Sequence, residues 1–174
     1  MGRGLAIIGV FCYYYAVAVA GSGHEKEQTI CDGDLKGRAG EMAKPAAVSS
    51  RLYGNVVWSD QVFVQVPKIF GMLKIERSYV HDNLYIQGLL TVSSSTVCAK
   101  IIAHSNKVSI SDSRVGTTAH ADAVEIINHS LTPSILEIKG QSLISGNVVF
   151  RGQPGTILAD EGVQIEGRII NLAH

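Results

Sequence analysis

The sequence predicts an all-β fold: a single-strand, right-handed β-helix with coils of 17–18 residues, preceded by a signal peptide and a linker. Three observations lead there. Apolar Φ-x-Φ pairs recur at a nearly fixed spacing from residue 51 onward, polar triplets recur in step with them, and the apolar residues are mostly Val and Ile, with aromatics at only 6%. β-branched side chains suit a pleated surface, and Φ-x-Φ is the pattern of a strand with one buried face. A unit this short cannot bury its own apolar face and must stack on its neighbours.

The chain opens with a targeting pattern over residues 1–20. Arg3 gives the charged start, Leu5 to Ala20 carry no charge, and Ala18-Val19-Ala20 supplies small residues before Gly21 and the charged His24-Glu25-Lys26-Glu27. This is the layout of a secretory signal. The apolar run spans only about 24 Å as a helix at ~1.5 Å per residue, short of a ~30 Å hydrocarbon core, so an uncleaved anchor formed by residues 5–20 is the competing reading. Cys12 has Gly9-Val10-Phe11 before it, a poor lipidation signal. The expected location is the periplasm or outside the cell. In that oxidising setting Cys31 and Cys98 have the option of pairing, which two cysteines do not by themselves determine.

Residues 21–50 read as a linker, charged and punctuated by Gly33, Gly37, Gly40 and Pro45, with room for a short helix near Arg38 to Val48. Residues 51–174 form the β-helix domain. Val56/Trp58 then Phe63 align with Leu73/Ile75 then Val80, with Leu90/Val92 then Val97, and with Val108/Ile110 then Val115. Val124/Ile126 then Thr132 form the expected fifth member. The triplets Ser59-Asp60-Gln61, Glu76-Arg77-Ser78, Ser93-Ser94-Ser95 and Ser111-Asp112-Ser113 follow the same order, with Asn128-His129-Ser130 next. A second series runs Leu84/Ile86, Ile101/Ala103, Ala119/Ala121, Leu136/Ile138. About seven coils at ~4.8 Å each make a rod of roughly 34 Å. A β-sandwich also spaces its strands regularly, but does not explain why triplets and apolar pairs recur together. A left-handed hexapeptide helix fails when stepped by six through Ile86, Val92, Cys98 and His104.

The triplet rhythm, the stretch Gly140 to Phe150, and the closing Gly162 to Ile170 with its Ile165-Glu166-Gly167-Arg168-Ile169 run resemble the bactofilin-like, polymer-forming β-helix proteins of bacteria, and still more their small exported relatives. The resemblance covers about residues 51–174 and implies a right-handed β-helix that assembles end to end into filaments without nucleotide. The chain departs from bactofilins proper in its export signal, since those proteins are cytoplasmic.

A stacked fold can be searched for chemistry by columns. Polysaccharide-cleaving β-helices need clustered carboxylates, and the columns Glu76/Ser93/Ser111, Lys74/Thr91/Ser109/Glu125 and Asp82/Ala99/Thr117 hold one acid each. The column His81/Cys98/Gly116 places an imidazole near a thiol, a weak candidate for a reactive pair because no third partner or oxyanion hole accompanies it. His104, His120 and Asp122 offer metal-ligand types, though turn histidines are far commoner than ligands. Gly152-Gln153-Pro154-Gly155 lacks the Lys-Ser/Thr of a phosphate loop. No catalytic, cofactor-binding or metal site is expected. Fifteen basic and fifteen acidic residues balance, with no basic run to track a nucleic-acid backbone.

The expected role is therefore a non-enzymatic structural or interaction protein of the bacterial cell envelope, with itself, an envelope protein or a glycan as partner. Self-association or end-capping falls to Trp58, Phe63, Val163, Ile165 and Ile169, at the two ends of the repeat. The alternative is a carbohydrate-binding or carbohydrate-active β-helix, which requires an acidic or aromatic patch on one face. Thr91, Ser93, Ser94 and Ser95 make a further polar face suited to hydrogen bonding.

Overall fold

The computed structural model describes residues 51–117 and 121–173. The expected signal peptide, the linker with its short helix, and His120 lie outside the described residues.

The chain winds through coils of parallel strands. The first coil carries β1 (Arg51–Ser59) and β2 (Val62–Phe63), the second β3 (Lys68–Glu76) and β4 (Tyr79–Val80), and the third β5 (Leu84–Ser93) and β6 (Thr96–Val97). The fourth has β7 (Ile101–His104), β8 (Lys107–Ser111) and β9 (Arg114–Val115). The fifth has β10 (Asp122–Asn128), β11 (Ser134–Lys139) and β12 (Leu143–Ile144). The sixth has β13 (Asn147–Gly152), β14 (Gly155–Ala159) and β15 (Gln164–Ile165), and β16 (Ile169–Ala173) opens the seventh. The predicted all-β solenoid is thus the fold.

Each coil has three sides. Side one stacks the first halves of β1, β3 and β5 with β7, β10, β13 and β16; side two stacks their second halves with β8, β11 and β14. Side three is a separate sheet of the two-residue strands. Inward residues form columns. Leu73, Leu90, Val108 and Leu136 fill side two, Val80, Val97, Val115 and Ile144 fill side three, and Ile69, Ile86, Ala103, Ile126 and Phe150 fill side one, all buried in one core. Burying such side chains is worth roughly 1.5–3 kcal/mol each relative to exposure.

Two corners explain why the strands can bend so sharply. Between sides one and two of the first three coils, Gly54, Gly71 and Gly88 lie in register with positive φ of 99°, 139° and 137°. A Cβ on Gly88 would sit 1.8 Å from the Gly71 carbonyl oxygen, so only glycine admits this stack. Between sides two and three, the middle residue of each polar triplet takes the left-handed conformation: Asp60, Arg77, Ser94 and Asp112, with Gly140 continuing the column. Here the left-handed backbone is occupied mainly by non-glycine residues, at a cost of roughly 1–2 kcal/mol each.

The next residue in the triplet compensates. Ser78, Ser95, Ser113 and Ser142 are buried, and each hydroxyl accepts a hydrogen bond from the backbone N–H of its counterpart one coil earlier. These bonds are Gln61 N to Ser78 Oγ at 3.2 Å, Ser78 N to Ser95 Oγ at 3.0 Å, Ser95 N to Ser113 Oγ at 3.1 Å and Ser113 N to Ser142 Oγ at 3.3 Å. The same hydroxyls donate to the carbonyls of Glu76, Ser93, Ser111 and Lys139 within their own coils. Every serine therefore uses its donor and one acceptor position where solvent is excluded.

The serine bonds also measure the coils: successive members lie 17, 17, 18 and 29 residues apart. The expected period holds for the first three steps and then fails. Val124/Ile126 do not follow Val108/Ile110; they stack on Ile101/Ala103, in place of the expected Ala119/Ala121. Val108/Ile110 are followed by Leu136/Ile138, and Val115 by Ile144 rather than Thr132. The triplet after Ser111-Asp112-Ser113 is replaced by the corner at Gly140, and Asn128-His129-Ser130 belongs to an added turn. The cause is extra chain after Val115 and again after Asn128, inserted at corners where it leaves the core columns intact.

Replacing Ser95 with alanine leaves the buried N–H of Ser78 without its acceptor. We expect a loss of about 1–3 kcal/mol in stability, measured by chemical denaturation. Ser94→Gly relieves the left-handed strain one position earlier and is expected to raise stability by up to about 1 kcal/mol in the same assay.

Candidate functional site

The residues nominated by sequence fall into three places. Trp58 and Phe63 sit in the first coil, 3% and 7% exposed, with their rings stacked 4.1 Å apart. Both side chains are buried rather than offered to solvent. Val163 and Ile165 lie in the sixth coil, half-buried against the core beside Ile157, and Ile169 on β16 is 54% exposed. At this end β14, β15 and β16 are the last strands of their ladders, so one edge of each carries no strand partner among the described residues. At the other end β1 and β2 likewise pair on one side only among the described residues, so the two ends differ in side-chain cover and not in having strand edges.

His81 and Cys98 do stack on adjacent coils at the corner between sides three and one. The N–H of His81 donates to Phe63 O, that of Cys98 to Val80 O and that of Gly116 to Val97 O, which places the three in one column as expected. Burial pushes the His81 imidazole below its ordinary pKa, favouring the neutral ring. Cys98 is buried and disulfide-bonded; the chain's other cysteines, Cys12 and Cys31, lie outside the described residues. A disulfide sulfur has no thiolate to attack with, which confines any chemistry of this pair to a reduced form.

The principal charge cluster lies on the outer surface of side one. Glu125, buried on β10, takes Lys100 Nζ at 2.5 Å on Oε2 and the Arg151 guanidinium on Oε1. Lys100 also reaches Asp122 at 3.4 Å, and Asn147 Nδ2 donates to Asp122 Oδ1 at 3.1 Å. Burial alone raises the pKa of Glu125, but its hydrogen bonds and charge pairing with Lys100 and Arg151 outweigh that and hold the carboxyl below its ordinary range. Asp122 is lowered chiefly by its hydrogen bond from Asn147, with Lys100 adding to it. A paired, ionised carboxylate with no open side is a structural tie between coils rather than a general acid or base. In the column expected to continue from Ser109 to Glu125, the next member is instead Glu137, which accepts from Ser109 Oγ at 3.2 Å and sits between Lys107 and Lys139. The two carboxylates face different sides of the coil.

Aromatic residues make a second feature of side one that the column search for acids passed over. Tyr53 and Phe70 occupy register-paired outward positions and stack at 5.0 Å with 20° between their planes. One column over, Tyr85 packs against His104 at 5.3 Å, with Lys68 Nζ 4.9 Å above the Tyr85 ring. The polar face nominated on side two is partly consumed by the fold. Thr91 and Ser93 are half-buried, Ser94 forms the left-handed corner, and Ser95 belongs to the buried ladder. No group of three His, Cys, Asp or Glu side chains suited to a metal ion occurs among the described residues.

These features define a β-solenoid with a buried aromatic pair in its first coil, an exposed isoleucine on its last strand and aromatic rings on its outer surface. Comparison with protein-family models, with curated proteins and with solved structures returned no match.

The Glu125 cluster has a pH signature. A carboxyl whose folded pKa lies below its unfolded value stabilises the fold above that unfolded value, and the contribution is lost as pH falls through the folded pKa. We expect Glu125→Gln to cost about 1–3 kcal/mol at pH 7. The difference from the parent protein should shrink as the pH drops below 4.5, the ordinary Glu value. Denaturation at pH 7 and at successively lower pH gives the comparison.

Proposed function

We propose that this chain is a non-enzymatic structural protein of the bacterial cell envelope that self-associates through the ends of its β-solenoid. The observation that carries this reading is that the end strands, β1 and β2 at one end and β14, β15 and β16 at the other, each pair on one side only among the described residues. At one, Trp58 and Phe63 stack and are both buried. At the other, Ile157, Val163 and Ile165 are half-buried against the core, and Ile169 stands exposed on a strand with no further strand partner among the described residues. Such an edge is a template for another strand, and a second copy supplies one of matching length and spacing. The resemblance to polymer-forming β-helix proteins points the same way, and the signal-like residues 1–20 favour an exported location. The interior columns are filled by Val, Ile and Leu, and the prominent carboxylates are engaged by lysine or arginine, an arrangement suited to a scaffold.

Light scattering coupled to size exclusion, over a concentration series, tests this directly. The protein is expected to show a mass that rises with concentration. Ile169→Glu, at an exposed position, is expected to weaken association at least tenfold while shifting the unfolding temperature little. A strict monomer up to high micromolar concentration would refute the reading.

A further inference from the structure

We propose that Cys98 is an oxidative cross-link site whose partner is Cys31, so that the chain ahead of the first coil is fastened along the edge where sides three and one meet. This goes beyond association through the coil ends, and it rests on the exported location only for an oxidising compartment.

Cys98 is disulfide-bonded and 5% exposed, and its N–H donates to Val80 O at 2.7 Å, which fixes its place on the ladder. The sequence holds three cysteines, and the other two, Cys12 and Cys31, both precede the first coil. The bond therefore reaches back from the third coil to the chain before Arg51. Two considerations select Cys31. Cys12 lies within the uncharged run Leu5 to Ala20, the part of the chain lost when a secretory signal is cut. Cys31 also has the shorter tether, about half that of Cys12 when counted back from Arg51, which raises its effective concentration at Cys98 roughly two- to threefold.

The path is short. Arg51 opens side one of the first coil, and Cys98 stands just before Ile101, which opens side one of the fourth. Both lie on one edge of the rod, three coil steps apart, or roughly 14 Å at ~4.8 Å each. Residues 32–50 span about 60 Å when extended at ~3.3 Å each, so no coil has to shift to close the bond. Val64 and His81 hold the places equivalent to Cys98 on the first and second coils. Val64 is 54% exposed and nearby Val62 43%, while burial favours the neutral His81 ring. The column beneath Cys98 is thus apolar or neutral, a surface that gains from being covered by a chain segment.

Forming the bond removes two electrons. The thiols of Cys31 and Cys98 exchange with a disulfide oxidant, oxidised glutathione or a disulfide-bearing oxidoreductase. Each cysteine gives up a proton, one S–S bond forms, and the oxidant's S–S bond breaks to leave two thiols. The product closes a loop from residue 31 to residue 98 that takes in the first three coils, and so restricts the unfolded chain.

The test uses the full chain produced in an exporting bacterial host, treated with oxidised glutathione and digested without reduction for peptide mass spectrometry. The expected result is a linked pair of peptides holding Cys31 and Cys98, which separates on reduction. Intact mass shows independently whether residues 1–20 have been removed, so a failure of export is distinguishable from a failure of the bond. Cys31→Ser should leave Cys98 open to alkylation after denaturation. It should also lower the unfolding temperature by roughly 10 °C in oxidising buffer, and reduction should bring the parent protein down to the same value. Cys98 found joined to Cys12 or to a second chain, or a free Cys98 thiol after the glutathione treatment, would overturn the proposal. Equal unfolding temperatures for the oxidised parent and Cys31→Ser would do so as well.

Discussion

One hydrogen bond, repeated from coil to coil, underlies the rest of this structure: a buried serine hydroxyl accepting the N–H of its counterpart on the coil before. It occurs at the corner where the backbone must turn through a left-handed residue, and that residue is aspartate, arginine or serine at four successive levels. The strain at each level is local, while the serine bond links levels. A hydroxyl suits this position better than an amide or carboxylate. It is small enough to be buried, donates within its own coil and accepts across to the neighbour, so both its donor and an acceptor position are engaged. With this corner pinned, the apolar columns on the three sides stay in line.

Pinning one corner frees the others. Between the fourth and fifth coils the chain adds material after Val115 and after Asn128, yet Val124, Ile126, Leu136 and Ile138 arrive in the same core columns as their predecessors. The added turn after Asn128 carries its own support: Asn128 Oδ1 accepts from Ser130 N, and Asn128 Nδ2 donates to Thr132 O. The solenoid therefore varies its outer surface without altering its interior. The flank carries the charge cluster and the aromatic rings, while the ends carry the difference in side-chain cover.

Much of the fold was legible because its first part is strictly periodic. Val56, Leu73, Leu90 and Val108 share one column, Phe63, Val80, Val97 and Val115 another, and both were aligned correctly from spacing alone. Legibility ended at Val115, since a fixed period cannot anticipate chain inserted at a corner, and the later pairs slid into the wrong columns. The glycines at 54, 71 and 88 repeat at the same interval and were a usable signal overlooked by a search for apolar pairs. The left-handed corner was not legible: Asp60, Arg77, Ser94 and Asp112 share no chemistry that marks positive φ. Of the candidate site, the stacking of His81 on Cys98 followed from the correct period. The aromatic face did not, because its rings occupy two neighbouring columns and no single column shows more than a pair.

The unequal ends also bear on how the molecule comes apart. In a fold where each coil touches only its neighbours, loss of structure spreads as a front from whichever terminus holds most weakly. Both terminal strands are held on one side only, β1 by β3 and β16 by β13, and the shorter β16 (Ile169–Ala173) against the longer β1 (Arg51–Ser59) is the weaker of the two. Amide hydrogens would then exchange in a gradient, fastest in β16 and β15 and slowest toward the serine-linked middle coils. A second molecule seated against β16 would hold that front back, so that assembly and resistance to unravelling would rise together.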